Sequence, residues 1–271
     1  MSEDFSKVLF VASEAVPFSK TGGLADVAGV LPRALKRQGC DVRVVLPFYR
    51  STRETGIAFE PCMESLPVEV AGEALPATVL RSDMEDGVPC YFVQRDDLFD
   101  RRYLYGTPEG DYPDNAFRFV YFCKAAFSLC QALSYGPDVM HCHDWQTALV
   151  PAYLGHVYGP SALFQKTRSL LTLHNIAYQG VFPPSEFPRT GLPDTFLSRG
   201  GMEFWGKMNV LKAGLLTAHV LNTVSPSYSR EILSEEMGCG LEGVLAGREP
   251  VSYTHLRAHE TAYTISYSVF W

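Results

Sequence analysis

The chain has 271 residues, 46% hydrophobic and 20% charged, with a formal net charge of −7. That length buries one large core or two modest ones, and the composition excludes a disordered chain. No run of Lys and Arg gathers a positive face, which argues against a nucleic-acid partner; a neutral polysaccharide would need no charge at all. The seven cysteines are scattered without a C-x-x-C pair, so a disulfide framework is not expected and reduced thiols in a cytoplasmic protein are. Met1 is followed by SEDFSK with no basic n-region, and no apolar run approaches about 18 residues. Neither a signal peptide nor a membrane span is expected.

The first predicted element is a buried strand over residues 8–12, apolar and β-branched. A polar, proline-broken loop ends on Lys20-Thr21-Gly22-Gly23. Leu24, Val27, Ala28, Leu31, Ala34 and Leu35 then recur at helical spacing. A strand, a glycine turn and a helix N-terminus form an anion site, because the first helical amides lack intrahelical acceptors and the dipole favours negative charge. Gly22 and Gly23 let a phosphate approach the backbone, and Lys20 adds a mobile positive charge. The pattern is neither a P-loop nor a dinucleotide fingerprint, and a plain tight turn also accounts for the glycine pair.

Gly39 stops the helix, and residues 41–46 read as a second buried strand closed by Pro47. Strand, helix and strand imply a parallel crossover within a doubly wound sheet. Over residues 55–93 short alternating segments at 66–70, 77–81 and 90–93 indicate a β-rich insertion or edge. Residues 98–114 are loop-like. Asn115 can cap a helix to about Leu133 with one apolar side. A strand follows at 139–142, then a helix over 145–158 bent by Pro151. A strand at 170–173, a helix at 209–218 and a strand at 220–224 come next. Pro226 at a helical N1 position opens a last helix to about Met237.

Chemistry gathers at two strand ends. His141 and His143 share a strand face, which suits a metal, but a third ligand at zinc spacing is missing. Alternatively Asp144 caps the next helix and the histidines hydrogen-bond in the core. His174 and Asn175 follow the strand at 170–173, where they can donate to sugar hydroxyls or serve as structural polar groups. No nucleophile elbow, Ser/His/Asp arrangement or glycosidase carboxylate pair stands out.

Five segments carry a resemblance: KTGGLADVAGVLPRAL, YGTPEGDYPDNAFRFVYF, HCHDWQTAL, LHNIAYQGVF and KMNVLKAGLLTAHVLNTVSPSYSREI. Each resembles a segment of the bacterial glycogen synthase and plant starch synthase family, across residues 5 to about 248. The resemblance implies an α/β fold: a Rossmann-like, doubly wound, mostly parallel sheet with a β-rich insertion, forming the N-terminal half of a two-domain GT-B glycosyltransferase. It implies glucose transfer from ADP-glucose to the non-reducing end of an α-1,4-glucan, with retention of configuration and without cofactor or metal. By the same resemblance His174 and Asp144 are catalytic, and Lys20, Gly22, Gly23, Asp26 and Asn175 bind the donor. Tyr105 and Asp111 line the acceptor channel, and Lys212 and Ser225 shape the floor of the cleft. Nucleic acid and membrane are not partners, and the location is cytoplasmic, or plastidic if a transit peptide is missing. Residues 1–250 are expected to form the domain. The segment 251–271 does not resemble the family and is expected to be a non-native or disordered tail. With the second domain absent, the chain alone is expected to be inactive. A non-catalytic glucan- or nucleotide-binding module, or a related UDP-sugar transferase, are the alternatives.

Overall fold

A computed structural model describes residues 6–248. The tail expected at 251–271 lies outside them. Eight strands form the main sheet: β1 (Lys7–Val11), β2 (Asp41–Pro47), β3 (Glu60–Leu66), β4 (Ala77–Asp83), β5 (Pro89–Gln94), β6 (Val139–His143), β7 (Arg168–Leu173) and β8 (Val220–Thr223). Their spatial order is β8-β7-β6-β1-β2-β5-β4-β3. The six strands from β8 to β5 run parallel, while β4 and β3 pair antiparallel at one edge. The chain builds outward from β1 in one direction, then returns to the other side of β1 with β6. The strand order therefore reverses between β1 and β6, which makes their carboxyl ends a switch point with a crevice above it.

Parallel strands covered on both faces must be apolar on both. In β1, Val8 and Phe10 join one buried cluster with Leu31 and Leu35, whereas Leu9 and Val11 join the other with Phe122 and Leu149. The period-2 alternation thus feeds two cores from one strand. Helix α1 (Gly23–Arg37) lies on the first face. Asp26 in its first turn and Lys36 and Arg37 in its last complement the dipole, and Gly39 at φ 91° turns the chain away.

Helix α2 (Asn115–Ala132) lies on the second face, and it is buried on nearly every side rather than along one stripe. Arg118 is fully buried within it and donates to the carbonyls of Leu98 and Leu104 and to Asn115 Oδ1 at 2.6–2.9 Å. Charge at a buried position is tolerated because every fork of the guanidinium has an acceptor. Asp114, not Asn115, occupies the cap position, and the Asn115 side chain instead donates to the Tyr105 carbonyl at 2.7 Å.

Several boundaries differ from the sequence expectation. The strand expected at 66–70 ends at Leu66, because Pro67 has no amide for a ladder; Glu69–Val70 pairs separately with Glu73–Ala74. The loop at 98–114 contains a hairpin of Gly106–Thr107 with Gly110–Asp111. The helix expected at 145–158 is three pieces, α3 (Asp144–Thr147), α4 (Leu149–Tyr153) and a wide π-turn at Leu154–Tyr158. Its break sits one turn before Pro151, where the Thr147 carbonyl loses its usual donor. Helix α5 (Val210–Thr217) is capped by Asn209, whose side chain accepts from Lys212 N at 2.9 Å. Helix α6 (Pro226–Glu231) stops well short of Met237. Among the described residues no helix is long and apolar enough to cross a membrane.

Helix α5 packs tightly against the junction of α3 and α4. A Cβ on Gly214 would lie 2.6 Å from the Ala148 carbonyl oxygen and 2.9 Å from Leu171 Cδ2. Alanine favours a helix by about 1 kcal/mol over glycine, but overpacking against backbone costs more. Gly214→Ala is therefore expected to destabilise the chain by about 1–3 kcal/mol, read as a lower denaturant midpoint.

Candidate active site

The loops leaving β1, β6, β7 and β8 at the switch point enclose a cavity of about 680 Å³. Its wall includes Glu14, Gly22 and Gly23 from the β1 loop, Asp144 and Trp145 after β6, His174 and Asn175 after β7, and Val224 after β8. Tyr105 and Asp111 close it from the hairpin side. Sequence analysis named His174, Asp144, Gly22, Gly23, Asn175, Tyr105 and Asp111, and the fold brings these seven to one cavity.

Lys20 stands at the rim. It lines an adjoining groove of about 430 Å³ that shares Thr21, Tyr105 and Asp111 with the main cavity. Its ammonium is 2.6 Å from Asp26 Oδ1, and half of the side chain is exposed. Asp26 thus meets Lys20 and is not among the residues lining either space. Lys212 and Ser225 are also absent from the cavity wall. The Lys212 ammonium donates to the carbonyls of Arg199 and Glu203, and Ser225 caps α6 by accepting from Tyr228 N. Both are structural here.

The glycine turn already holds an anion from the chain itself. The buried Glu14 carboxylate accepts from the amides of Thr21 and Gly22, and from the Thr21 hydroxyl at 2.8 Å. The Tyr105 hydroxyl reaches both Glu14 Oε1 and Ser13 Oγ at 2.8 Å, so the hairpin loop is tied to the β1 loop. Sequence reasoning missed Glu14. Its only signal is an acidic residue three positions past a buried strand, at the end where ligands of such sheets gather. Beyond this carboxylate, Gly23 and Leu24 line the cavity at the first turn of α1, where amides have no intrahelical acceptor. A Cβ at Gly22 or Gly23 would meet nothing within 4 Å, and Gly22 has extended backbone that other residues adopt. The chain's own packing therefore does not demand glycine at either place.

Asp144 does not cap its own helix. It sits at φ 54°, a left-handed conformation that Asp and Asn tolerate best among branched polar residues, and its Oδ1 accepts from the amide of His174 at 2.7 Å. Burial raises its carboxyl to about 7, opposed by the hydrogen bonds from the His174 and Asn175 amides. The histidines are tied to neighbouring side chains and to one another. His141 Nε2 is 2.7 Å from Thr172 Oγ1, and His143 Nδ1 is 3.0 Å from His174 Nε2. Among the described residues no three His, Cys, Asp or Glu side chains converge as a metal site requires. Burial lowers His141 to about 3 and His174 to about 4, and lowers His143 as well. All three rings are neutral near pH 7.

These shifts have opposite effects on stability. The Asp144 carboxyl, raised from 3.8 to about 7, binds its proton more tightly in the folded state, so its contribution to stability falls as pH rises through that window. The depressed histidines destabilise the fold as pH drops below about 6.5. Asparagine preserves the oxygen that accepts from His174 N. Asp144→Asn is expected to raise stability at pH 8 by on the order of 2–4 kcal/mol, with the gain vanishing near pH 4, as measured by denaturant titration across pH.

A model of the starch synthase catalytic domain matches residues 7–247. Glycogen synthase 2 of Geobacter sulfurreducens is 46% identical over 242 residues, covering 89% of this chain and 50% of that protein. The glycogen synthase of Thermodesulfovibrio yellowstonii is 40% identical over 256 residues, covering 90% of this chain and 52% of that protein. Among solved structures, the catalytic domain of starch synthase IV from Arabidopsis thaliana, bound to ADP and acarbose, superimposes with a TM-score of 0.80 at 30% identity. That match covers 90% of this chain and 50% of the other. The chain thus spans about half the length of the relatives it matches.

Proposed function

Because the chain belongs to the starch synthase catalytic-domain family, a family of glycosyltransferases with the GT-B fold, we propose that it supplies one wall of an active site that moves glucose from ADP-glucose to the non-reducing end of an α-1,4-glucan, with retention of configuration. The observation that carries this reading is the single cavity at the β1/β6 switch point, where a helix N-terminus, His174 and Asp144 converge. The starch synthase IV domain was solved with ADP and acarbose, and for this chain we read a nucleoside diphosphate and a sugar chain. Residues 1–250 form the domain in this reading, and a second nucleotide-binding domain completes the site. The unpaired, scattered cysteines fit a reducing cytoplasm.

Electrostatics divides the cavity. Buried Glu14 and Asp144 set carboxyl oxygens in its inner wall, which suit neutral hydroxyls that donate to them better than a diphosphate. The diphosphate is therefore read at the rim, against the Gly23 and Leu24 amides and Lys20, with Asp26 holding the ammonium in place. Glucose then points inward to His174, Asn175 and Asp144, and the acceptor chain runs past Tyr105 and Asp111. In the transfer, the acceptor oxygen bonds to the anomeric carbon as the anomeric carbon–phosphate oxygen bond breaks. The acceptor proton leaves with the departing diphosphate on the same face. Catalysis of this kind is positional and electrostatic, since no side chain becomes a nucleophile.

The test is kinetic, in the protein carrying both halves. His174→Ala is expected to lower kcat about a hundredfold with ADP-glucose and glycogen. Lys20→Ala is expected to raise the donor KM about tenfold or more, the worth of one charge-assisted hydrogen bond. Wild-type kinetics in both variants refute the site, and equal rates with UDP-glucose refute the donor assignment. The 271-residue chain alone is expected to show only background turnover. Gly23→Ala is expected not to lower the unfolding midpoint while weakening donor binding, since its Cβ would meet nothing of the chain within 4 Å and Gly23 lines the cavity.

A further inference from the structure

The ring of His174 has two nitrogens, and only one of them is engaged among the described residues. Nε2 lies 3.0 Å from His143 Nδ1, whereas Nδ1 has no partner among the described residues and belongs to a side chain lining the cavity. Two neutral imidazoles in contact share one hydrogen: one nitrogen donates and the other accepts. Either ring can be the donor, and the surroundings of His143 decide between them.

The His143 ring is fully buried. Phe10 stacks on it with centroids 4.2 Å apart, and the His141 ring lies 4.3 Å away. His141 is occupied elsewhere: Thr172 gives its single hydroxyl hydrogen to Asn222 Oδ1 at 2.5 Å, so it must accept from His141 Nε2. His143 Nε2 is left as a buried atom without a hydrogen-bond partner among the described residues. Were His174 the donor, His143 would carry its own hydrogen on that stranded Nε2. An orphaned buried N–H is the costlier arrangement and is rare in native proteins, whereas a stranded lone pair is less so. The hydrogen therefore sits on His143 Nδ1.

We propose that His143 is a positioning residue that fixes His174 as the Nδ1–H tautomer, so that the face of His174 turned to the cavity is a hydrogen-bond donor. The lone pair of His174 is spent on His143. His174 then acts by donating to a substrate oxygen, and it cannot accept a proton at Nδ1 as a general base. Naming that oxygen as a sugar hydroxyl rests on the proposed function; the tautomer itself does not. His143 Nδ1–H is in turn held in place by the β6 backbone, where Thr147 Oγ1 bridges the amide and carbonyl of His143 at 2.6 and 2.8 Å. The arrangement follows the general rule that the hydrogen bond at one imidazole nitrogen sets the state of the other.

The test uses the ligand-free 271-residue chain labelled with 15N-histidine, so it is independent of donor, acceptor and turnover. Long-range 1H–15N spectra at pH 7.5, with His174 assigned from its loss in His174→Gln, report which nitrogen carries the hydrogen. The wild type is expected to show His174 protonated at Nδ1 and bare at Nε2. His143→Leu is expected to move the hydrogen to Nε2 in most molecules. His143→Asn, whose amide can occupy the place of Nδ1–H, is expected to restore the wild-type pattern. A wild-type His174 protonated at Nε2 overturns the proposal, even if neither variant folds. An unchanged His174 pattern in a folded His143→Leu overturns the role of His143.

Discussion

Everything at the site depends on the parallel pairing of β1 with β6. Their register sets Val11 beside Cys142, so the two strands finish together and release their loops side by side. One loop carries Glu14 and the glycine turn, and the other carries Asp144 and Trp145. The pairing of β6 with β7, which sets His143 beside Thr172, then brings His174 within reach of both. Because the strand order reverses at this pair, no crossover helix covers the gap, and a crevice remains. A slip of one residue in either pairing would turn His141 and His143 to the opposite face and separate His143 from His174.

The crevice is held open by its own polar groups. Glu14 occupies the outer amides of the glycine turn, and through Tyr105 it fastens the hairpin that carries Asp111. Behind that hairpin, buried Arg118 clamps the carbonyls of Leu98 and Leu104. A cation is thus used twice removed from the cavity to position a tyrosine, and a carboxylate is used to shape a loop that would otherwise attract an external anion. Low dielectric makes such fully satisfied networks rigid, and it makes any missing member costly. The same burial keeps His141, His143 and His174 neutral and raises the Asp144 carboxyl to about 7. The interior can thereby offer both donors and acceptors to hydroxyl groups, while Lys20 remains in solvent at the rim.

Much of this was legible in the chain, and the reasons are local. Strand β1, helix α1 and strand β2 announce themselves by period and by punctuation at Gly39 and Pro47, since apolar alternation and helix stops act within a few residues. The candidate ligand groups His174, Asn175, Asp144 and the glycine pair were visible as polar residues at strand ends. Where reading failed, a distant partner had decided. Asp144 looks like a helix cap from its neighbours, yet its acceptor role goes to an amide 30 positions away. Lys212 looks like a cleft residue, yet two carbonyls of the 199–203 loop claim its ammonium. Asp26, in the first turn of α1, is paired with Lys20 in the loop before the helix and is not among the residues lining the cavity.

By itself, the sequence determined the doubly wound α/β class, the family and the strand ends at which the chemistry collects. These follow from periodicity, turn residues and unbroken strings of side chains, all of which are written along the chain. Only the tertiary structure decided that Glu14 fills the glycine turn and that Arg118 steadies Tyr105. It alone decided that His143 meets His174. Those contacts join residues 14 and 105, 118 and 104, and 143 and 174 across strands and layers, so they exist only once the sheet order and register have been set.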